Sequence, residues 1–408
     1  MKAATCVADI TPKCAVHLCG YVGEARKYTA KGIHDHPLAV SLLLEIDGVR
    51  LLFISIDVIT LGGEKAAVIK DKIQKILTIE NDHIIISAIH THSGANGLDD
   101  MTVFGTPDNP EYFAYVCEQI TDSIQHLEQQ LCEVQAYITT GKVHGYYSKR
   151  TDKHLPFEDH AAIITFIHGD TVVAAMCNFN CHATVLGVEN MLVSSDLVGK
   201  VRSLMKEDLG VTPYTFTGAS GDISNRQYRQ GNDFAELDRV GSGIAEILRN
   251  MGPYEKLGLH HVQTVSYDHT VSYDTHGILK SIKRVYGMQK RYYRVRIFHW
   301  MNGSLPPRKK HCWKRSCNVR KWNFMCVELF SILVILRSSP FPGELASTFG
   351  LQLRRKCKTK HFLLIGYAND YQGYFMEAQE YGKTYETKAS NTPVGESERI
   401  AGEIGDLL

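Results

Sequence analysis

Apolar positions along the chain fall into short, dense runs. Val40–Ile46, Leu51–Ile56, His83–Ala88, Ala161–Ile167, Val172–Phe179, Tyr214–Thr217, Phe330–Leu336 and Phe362–Ile365 are near-continuous and rich in branched residues, the pattern of buried strands. Between several of them a helical spacing takes over. Lys65–Leu77 sets Ala67, Ile69, Ile73 and Ile76 near one face, and Tyr112–Gln130 and Asp196–Leu209 read the same way. Strands interleaved with helices predict an α/β fold, with mixed β-sheets flanked by helices in one large catalytic-type domain over residues 1–408. Repeats of solenoid period and Pro/Ser/Gly linkers are absent. The longest aliphatic runs, Leu51–Ile59 and Leu329–Leu336, have the length of strands and fall far short of the ~20 residues of a membrane span. No transmembrane segment is expected.

Composition sharpens this picture in one place. The 45 Lys+Arg and 44 Asp+Glu of the 408 residues give a net charge of +1, which excludes a uniformly basic nucleic-acid coat. The balance is uneven. No acid occurs from Thr275 to Val327, while 14 Lys+Arg lie from Lys280 to Lys321, leaving 31 basic groups against 44 acids elsewhere. Trp300, Trp313 and Trp322, the only tryptophans, fall in the same island. A simultaneous shift in acids, Trp and Cys reads as a stretch outside the native reading frame. An insert binding anions through Arg308–Lys310 and Lys314–Arg315, or a plain solvated excursion, are the alternatives. The 11 cysteines contain no CxxC pair and suit a reducing compartment. Met1–Asp9 has no apolar core before its first acid, so no signal peptide is read there and the expected location is cytoplasmic.

Residues with usable chemistry gather where strands end. His90 and His92 stand one residue apart after an apolar run, and in extended backbone such residues face the same side, so both imidazoles can enter one pocket. On its own the pair reads equally as metal ligands or as ordinary surface or core histidines. His182, in Cys181-His182-Ala183-Thr184, is on its own a satisfied core histidine. Thr217–Asn225 is a loop able to present a hydroxyl, but Gly218 and Gly221 are three apart, which is not the nucleophile elbow of the hydrolases. Pro340-Phe341-Pro342-Gly343 fixes Glu344 rigidly past a strand, at the edge where α/β sheets gather ligands. The tyrosines from Tyr367 to Tyr385 taken alone indicate packing.

Their order along the chain adds what none carries singly. Asp9-Ile10-Thr11-Pro12, Gly20-Tyr21, Gly32-Ile33-His34-Asp35-His36-Pro37, His90-Thr91-His92-Ser93-Gly94, the His182 and Ser224 loops, Pro342-Gly343-Glu344, Asn369-Asp370-Tyr371 with Gly373-Tyr374, and Gly395-Glu396-Ser397 follow in sequence. From Ala8 to Leu408 the chain thereby resembles the neutral/alkaline (non-lysosomal) ceramidase family, over its amidase domain and without the C-terminal immunoglobulin-like domain usual there. The resemblance implies a zinc-dependent hydrolase of an N-acyl amide, with one Zn²⁺ per chain held by His90, His182, Glu344 and Tyr374. It implies that His92 and Tyr385 steady the oxyanion and shuttle protons. By the same likeness Ser224 attacks or positions the substrate, and Arg150 reaches it. Two departures stand out: the family's proline after the serine is missing at Asn225, and Lys149 replaces an asparagine. The implied substrate is a small-molecule or lipid N-acyl amide, ceramide-like or smaller. Nucleic acid is not an expected partner, and oligomeric state is left open. The competing readings are a non-catalytic relative that binds an acyl or anionic ligand, and a metal-dependent ester hydrolase.

Overall fold

The computed structural model describes residues 1–99, 106–259, 261–273, 318–330 and 336–408. Its centre is a pair of five-stranded sheets. The first runs Ile84–Ala88, Val49–Ile56, Leu38–Ile46, Lys2–Asp9, Cys132–Glu133; the second runs Tyr214–Phe216, Thr171–Asn178, His160–His168, Gln135–Lys142, Glu255–Leu257. Strand alternation decides which side chain goes where. Val40, Leu42, Leu44, Leu51 and Phe53 of the first sheet meet Ile138, Ile164, Phe166, Met176 and Phe216 of the second in a shared core. The opposite face of the first sheet, including Leu43, Leu52, Ile54 and Ile56, packs on the helices Gly63–Ile73 and Pro110–Ile124. Ile163 and Cys177 of the second sheet pack on Asp196–Leu209 and Phe234–Arg249 in the same way. The result is a four-layer helix–sheet–sheet–helix sandwich, the mixed α/β fold the apolar runs predict.

A further sheet holds His261–Tyr273, Asn318–Phe330, Leu336–Pro340 and His361–Ile365, with the helices Ser347–Lys356 and Glu396–Leu407 packed beside it. Each of the three sheets contains one parallel pair: Val49–Ile56 with Ile84–Ala88, Thr171–Asn178 with Tyr214–Phe216, and Leu336–Pro340 with His361–Ile365. Every expected site histidine, and Glu344, follows a strand of one of these pairs.

Several details differ from expectation. In the first helix Ala66 is buried and Ala67 exposed, because the core-facing stripe runs Ala66, Ile69, Ile73. The second helix stops at Ile124, before a short 3₁₀ turn at Glu128–Gln130. The expected Phe330–Leu336 run joins two strands, with residues 331–335 outside the described set. The acid-free segment also lies outside it as far as residue 317; residues 318–327 open a strand that pairs antiparallel with His261–Tyr273. Among the described residues no helix is long and apolar enough to cross a membrane.

Candidate metal centre

His90 emerges just past the Ile84–Ala88 strand in a left-handed conformation, φ +62°, which turns its ring into the interior. Such a conformation is uncommon for a side-chain-bearing residue and persists only where the surroundings hold it. The ring is fully buried, stacks on Tyr367 at 4.1 Å between centroids, and places Nδ1 2.8 Å from the Ile59 carbonyl. His182 follows the Thr171–Asn178 strand and places its own Nδ1 2.8 Å from the Ser220 carbonyl. A carbonyl only accepts, so each Nδ1 carries the proton and each Nε2 presents a lone pair.

These two Nε2 atoms stand 3.1 Å apart, and His92 Nε2 lies 3.3 Å from that of His90. Glu344 Oε2 lies 3.0 Å from His182 Nε2 and 3.5 Å from His90 Nε2, accepts no hydrogen bond, and is buried. Burial holds the imidazoles neutral, pushing the pKa of His90 down to about 3 and those of His92 and His182 well below the usual range. Contacts that would be ion pairs with charged histidines therefore become lone pair against lone pair and against a carboxylate. Burial also raises the pKa of Glu344, while His90, Tyr371 and Arg150 oppose the rise. Such a donor set is repulsive by itself and is reconciled by a cation at its centre. The residues present fit a metal ion. His90, His92 and His182 keep their ring nitrogens within 4.8 Å of one another.

The other expected residues surround this point. Glu344 and Tyr374 sit opposite each other in a parallel pairing, and the Tyr374 side chain is one of the groups that hold the Glu344 pKa down against burial. Tyr385 stands edge-on to Tyr374, 6.4 Å between centroids, and is 56 % exposed. Arg150 is buried, gives one N–H to Glu386 at 2.6 Å, and exerts its charge on Tyr374 and Glu344. Ser224 is buried in a two-residue pairing with Ser148, and its hydroxyl accepts from the Arg226 N–H at 3.4 Å. Its link to the histidines is through backbone: His182 N–H donates to Ile223 C=O at 3.3 Å.

Several supporting groups carry no signal in the sequence. Tyr371 O–H donates to Glu344 Oε1, and Tyr367 O–H pairs with Ser220 Oγ at 3.0 Å. Tyr371 lies in the Asn369–Tyr374 motif and Tyr367 just before it, in a tyrosine-rich stretch that gave no hint of which oxygen each would meet. Gly20, at φ +99°, lies so close to the His92 ring that a Cβ there would sit 2.5 Å from it. Asp57, 0 % exposed, ties Arg202 to the turn that carries Ile59.

Residues 3–214, just over half of the chain, match the family model described as neutral/alkaline non-lysosomal ceramidase, N-terminal. No curated protein matches the chain. The crystal structure of neutral ceramidase from Pseudomonas aeruginosa superposes with a TM-score of 0.77 at 16 % identity, over 99 % of this chain and 73 % of that one. A ceramidase complexed with C2 gives a TM-score of 0.76 at 15 % identity, over 99 % and 74 %. These likenesses bear out the expected fold and the expected family.

Proposed function

Since this chain belongs to the neutral/alkaline non-lysosomal ceramidase family, we propose that it is a zinc-dependent amidohydrolase of N-acyl amides, with His90, His182, Glu344 and Tyr374 as the metal ligands. The observation that carries the proposal is the pair of neutral Nε2 atoms at 3.1 Å facing a buried carboxylate oxygen at 3.0 and 3.5 Å. Donors about 2.0–2.1 Å from a tetrahedral zinc stand roughly 3.3 Å apart, which suits these separations. Two imidazoles, a carboxylate and a phenol are also the mixed N/O set zinc accepts. Zinc, when bound, supplies Lewis acidity that polarises a carbonyl and makes water a nucleophile near neutral pH.

The remaining work falls to the chain. The Nδ1–H bonds to Ile59 and Ser220 fix the tautomer and aim of the two imidazoles before any ligand arrives. Tyr371 holds one oxygen of Glu344, leaving the other toward the histidines. His92, beside His90 and outside the proposed ligand set, accepts and returns a proton at Nε2. Tyr385, half in solvent at the mouth, protonates the leaving amine, a role for which general acid–base catalysis is typically worth about 10²–10⁴-fold. Arg150 reaches the substrate, and Ser224 attacks or orients it from the neighbouring turn.

Zinc content of dialysed protein, read together with fatty acid release from N-acyl amides, tests this. About one zinc per chain and turnover, both lost in His90→Ala, is the expected result. Folded protein that takes up no zinc when supplied with it would sink the assignment.

A further inference from the structure

Four arginines gather beside the histidine cluster, and two of them keep N–H groups free of any carboxylate among the described residues. Arg26 is 4 % exposed, and its guanidinium donates to three backbone carbonyls, His92 at 3.1 Å, Val188 at 3.0 Å and Gly187 at 3.2 Å. It lies over the Tyr21 ring at 5.1 Å, and that ring lies 4.9 Å from the ring of His92. Arg229 donates to Thr184 C=O at 2.6 Å and to the side chain of Asn225 at 2.8 Å, beside Ser224. Arg150 gives one N–H to Glu386, while its buried Nε–H finds no partner. Arg226, exposed and two residues after Ser224, has no carboxylate within ion-pair distance among the described residues; the charges acting on it include those of Arg150, Glu386 and Arg229.

The acids within this neighbourhood are already engaged. Glu386 pairs with Arg150, and Glu344 faces the histidines. Asp196, whose charge acts on Tyr21, accepts from the N–H groups of Val185, Leu186 and Leu197. Glu189 acts on Arg26, so four acids balance the four arginines, and a bound cation would leave the site net positive, with Arg226 and the Nε–H of Arg150 still without an anionic partner among the described residues. A neutral head group leaves that field unused, whereas an anionic one completes it and is drawn in by it. Arg150 acts on Tyr374 and Glu344, and Arg226 follows Ser224 by two residues with its backbone N–H on the Ser224 hydroxyl, so an anion these two hold sits near the amide carbon, not at the far end of an acyl chain.

Resting on the amidohydrolase reading above, we infer that the substrates are N-acyl amides whose amine half carries a carboxylate next to the scissile nitrogen, N-acyl amino acids as a class, with Arg226 and the free edge of Arg150 as the carboxylate's anchors. The reaction balances as hydrolysis. Water oxygen joins the acyl carbon and the C–N bond breaks. Both water protons end on the nitrogen, giving a fatty carboxylate and a zwitterionic amino acid from an amide of the same net charge.

N-lauroylglycine and N-lauroylethanolamine share chain and amide and differ in the carboxylate, so they make the probe pair. The zinc-loaded full-length protein should cleave the glycine conjugate with about tenfold to hundredfold higher kcat/KM, the worth of a charge-assisted hydrogen bond. Arg226→Gln, a surface change, should shrink that ratio at least about tenfold, and Arg226→Glu should shrink it further. Dissociation constants of both amides, read by calorimetry, carry the same comparison without turnover. Equal cleavage or equal binding of the two amides overturns the inference, as does an unchanged ratio in both Arg226 variants. Preferential binding of the glycine conjugate with no turnover of either amide would refute the hydrolase reading and still support carboxylate recognition.

Discussion

Replacing Asp57 by asparagine removes a single charge from a site no solvent reaches. Asp57 is 0 % exposed and accepts from Leu38 N–H at 2.9 Å, Ser195 O–H at 2.6 Å and Arg202 Nη1 at 2.6 Å, with a second bond from Arg202 Nη2. Arg202 is 3 % exposed, and among the described residues Asp57 is its ion-pair partner. The Asp57→Asn change would leave that guanidinium buried without its counter-charge and turn an amide N–H₂ toward existing donors. Breaking a buried pair from one side costs about 3–5 kcal/mol, whereas replacing both partners by apolar groups costs far less. The consequence reaches the metal centre. Asp57 anchors the turn whose Ile59 carbonyl aims His90, and Ser195 opens the helix whose Asp196 binds the N–H groups of Val185 and Leu186, just past His182. Urea unfolding at a common m-value should give a loss of about 3–5 kcal/mol for Asp57→Asn, and zinc affinity by chelator competition should weaken by about tenfold or more. Asp57→Leu combined with Arg202→Met should lose at least about 1 kcal/mol less than the two single changes added. A loss below about 1 kcal/mol in Asp57→Asn, or strict additivity in the double variant, would refute the reasoning.

Three further outcomes follow from the same contacts. Tyr371→Phe deprives buried Glu344 of its donor and should cost about 1–3 kcal/mol and about 10–100-fold in zinc affinity, measured by chelator competition; unchanged affinity would show that Tyr371 does not orient the carboxylate. Gly20→Ala puts a methyl carbon against the His92 ring, so kcat should drop at least about tenfold while zinc is retained. Loss of zinc with activity would put His92 among the ligands. His160 is pushed down to about 3 by burial, then by Arg354, His361 and Lys142, so the folded chain prefers its neutral ring. That preference contributes fully above the unfolded value of about 6.5 and fades as pH falls toward 3, so the stability of the native protein relative to His160→Gln should decline by about 1–2 kcal/mol between about pH 7.5 and pH 5 in urea titrations. A difference that stays flat would count against it.

What could be read from the sequence follows a physical divide. Strands covered on both faces, such as Val49–Ile56, announce themselves because nearly every position must be apolar. Lys2–Asp9 and Gln135–Lys142 do not, because small and polar residues alternate along them and only part of each is covered. The helix Phe234–Arg249 escapes notice because Gly241 and Gly243 interrupt its pattern; they are there so that Lys200 and Tyr146 can lie against the helix, where a Cβ would meet them at 2.4 and 2.0 Å. At the site, His90, His182 and Glu344 are legible as polar residues ending apolar runs. Arg26 is not: it stands in an unremarkable turn, and its partners His92 and Gly187 lie 66 and 161 positions away. A guanidinium satisfied by distant carbonyls leaves no local trace.

The same divide explains why the order of motifs outweighs any one of them. A parallel pair ends both strands on one side, so the segments leaving it enter a common space. Three such pairs deliver His90, His182, and Glu344 with Tyr374, from widely separated parts of the chain, to one cluster. Glu344 reaches the histidines even though the acid-free segment intervenes in the chain, because its position is set by pairing with Tyr374 and by the Glu344 N–H bond to Gly373 C=O at 2.9 Å. The clustered lone pairs are unfavourable without a cation, so the fold keeps them together at a cost met by the surrounding core, which the proposed metal would recover. Metal affinity and the stability of the whole chain are therefore one linked quantity. A change as remote as Asp57 can register at the metal, and filling the metal site steadies segments from both halves of the sequence.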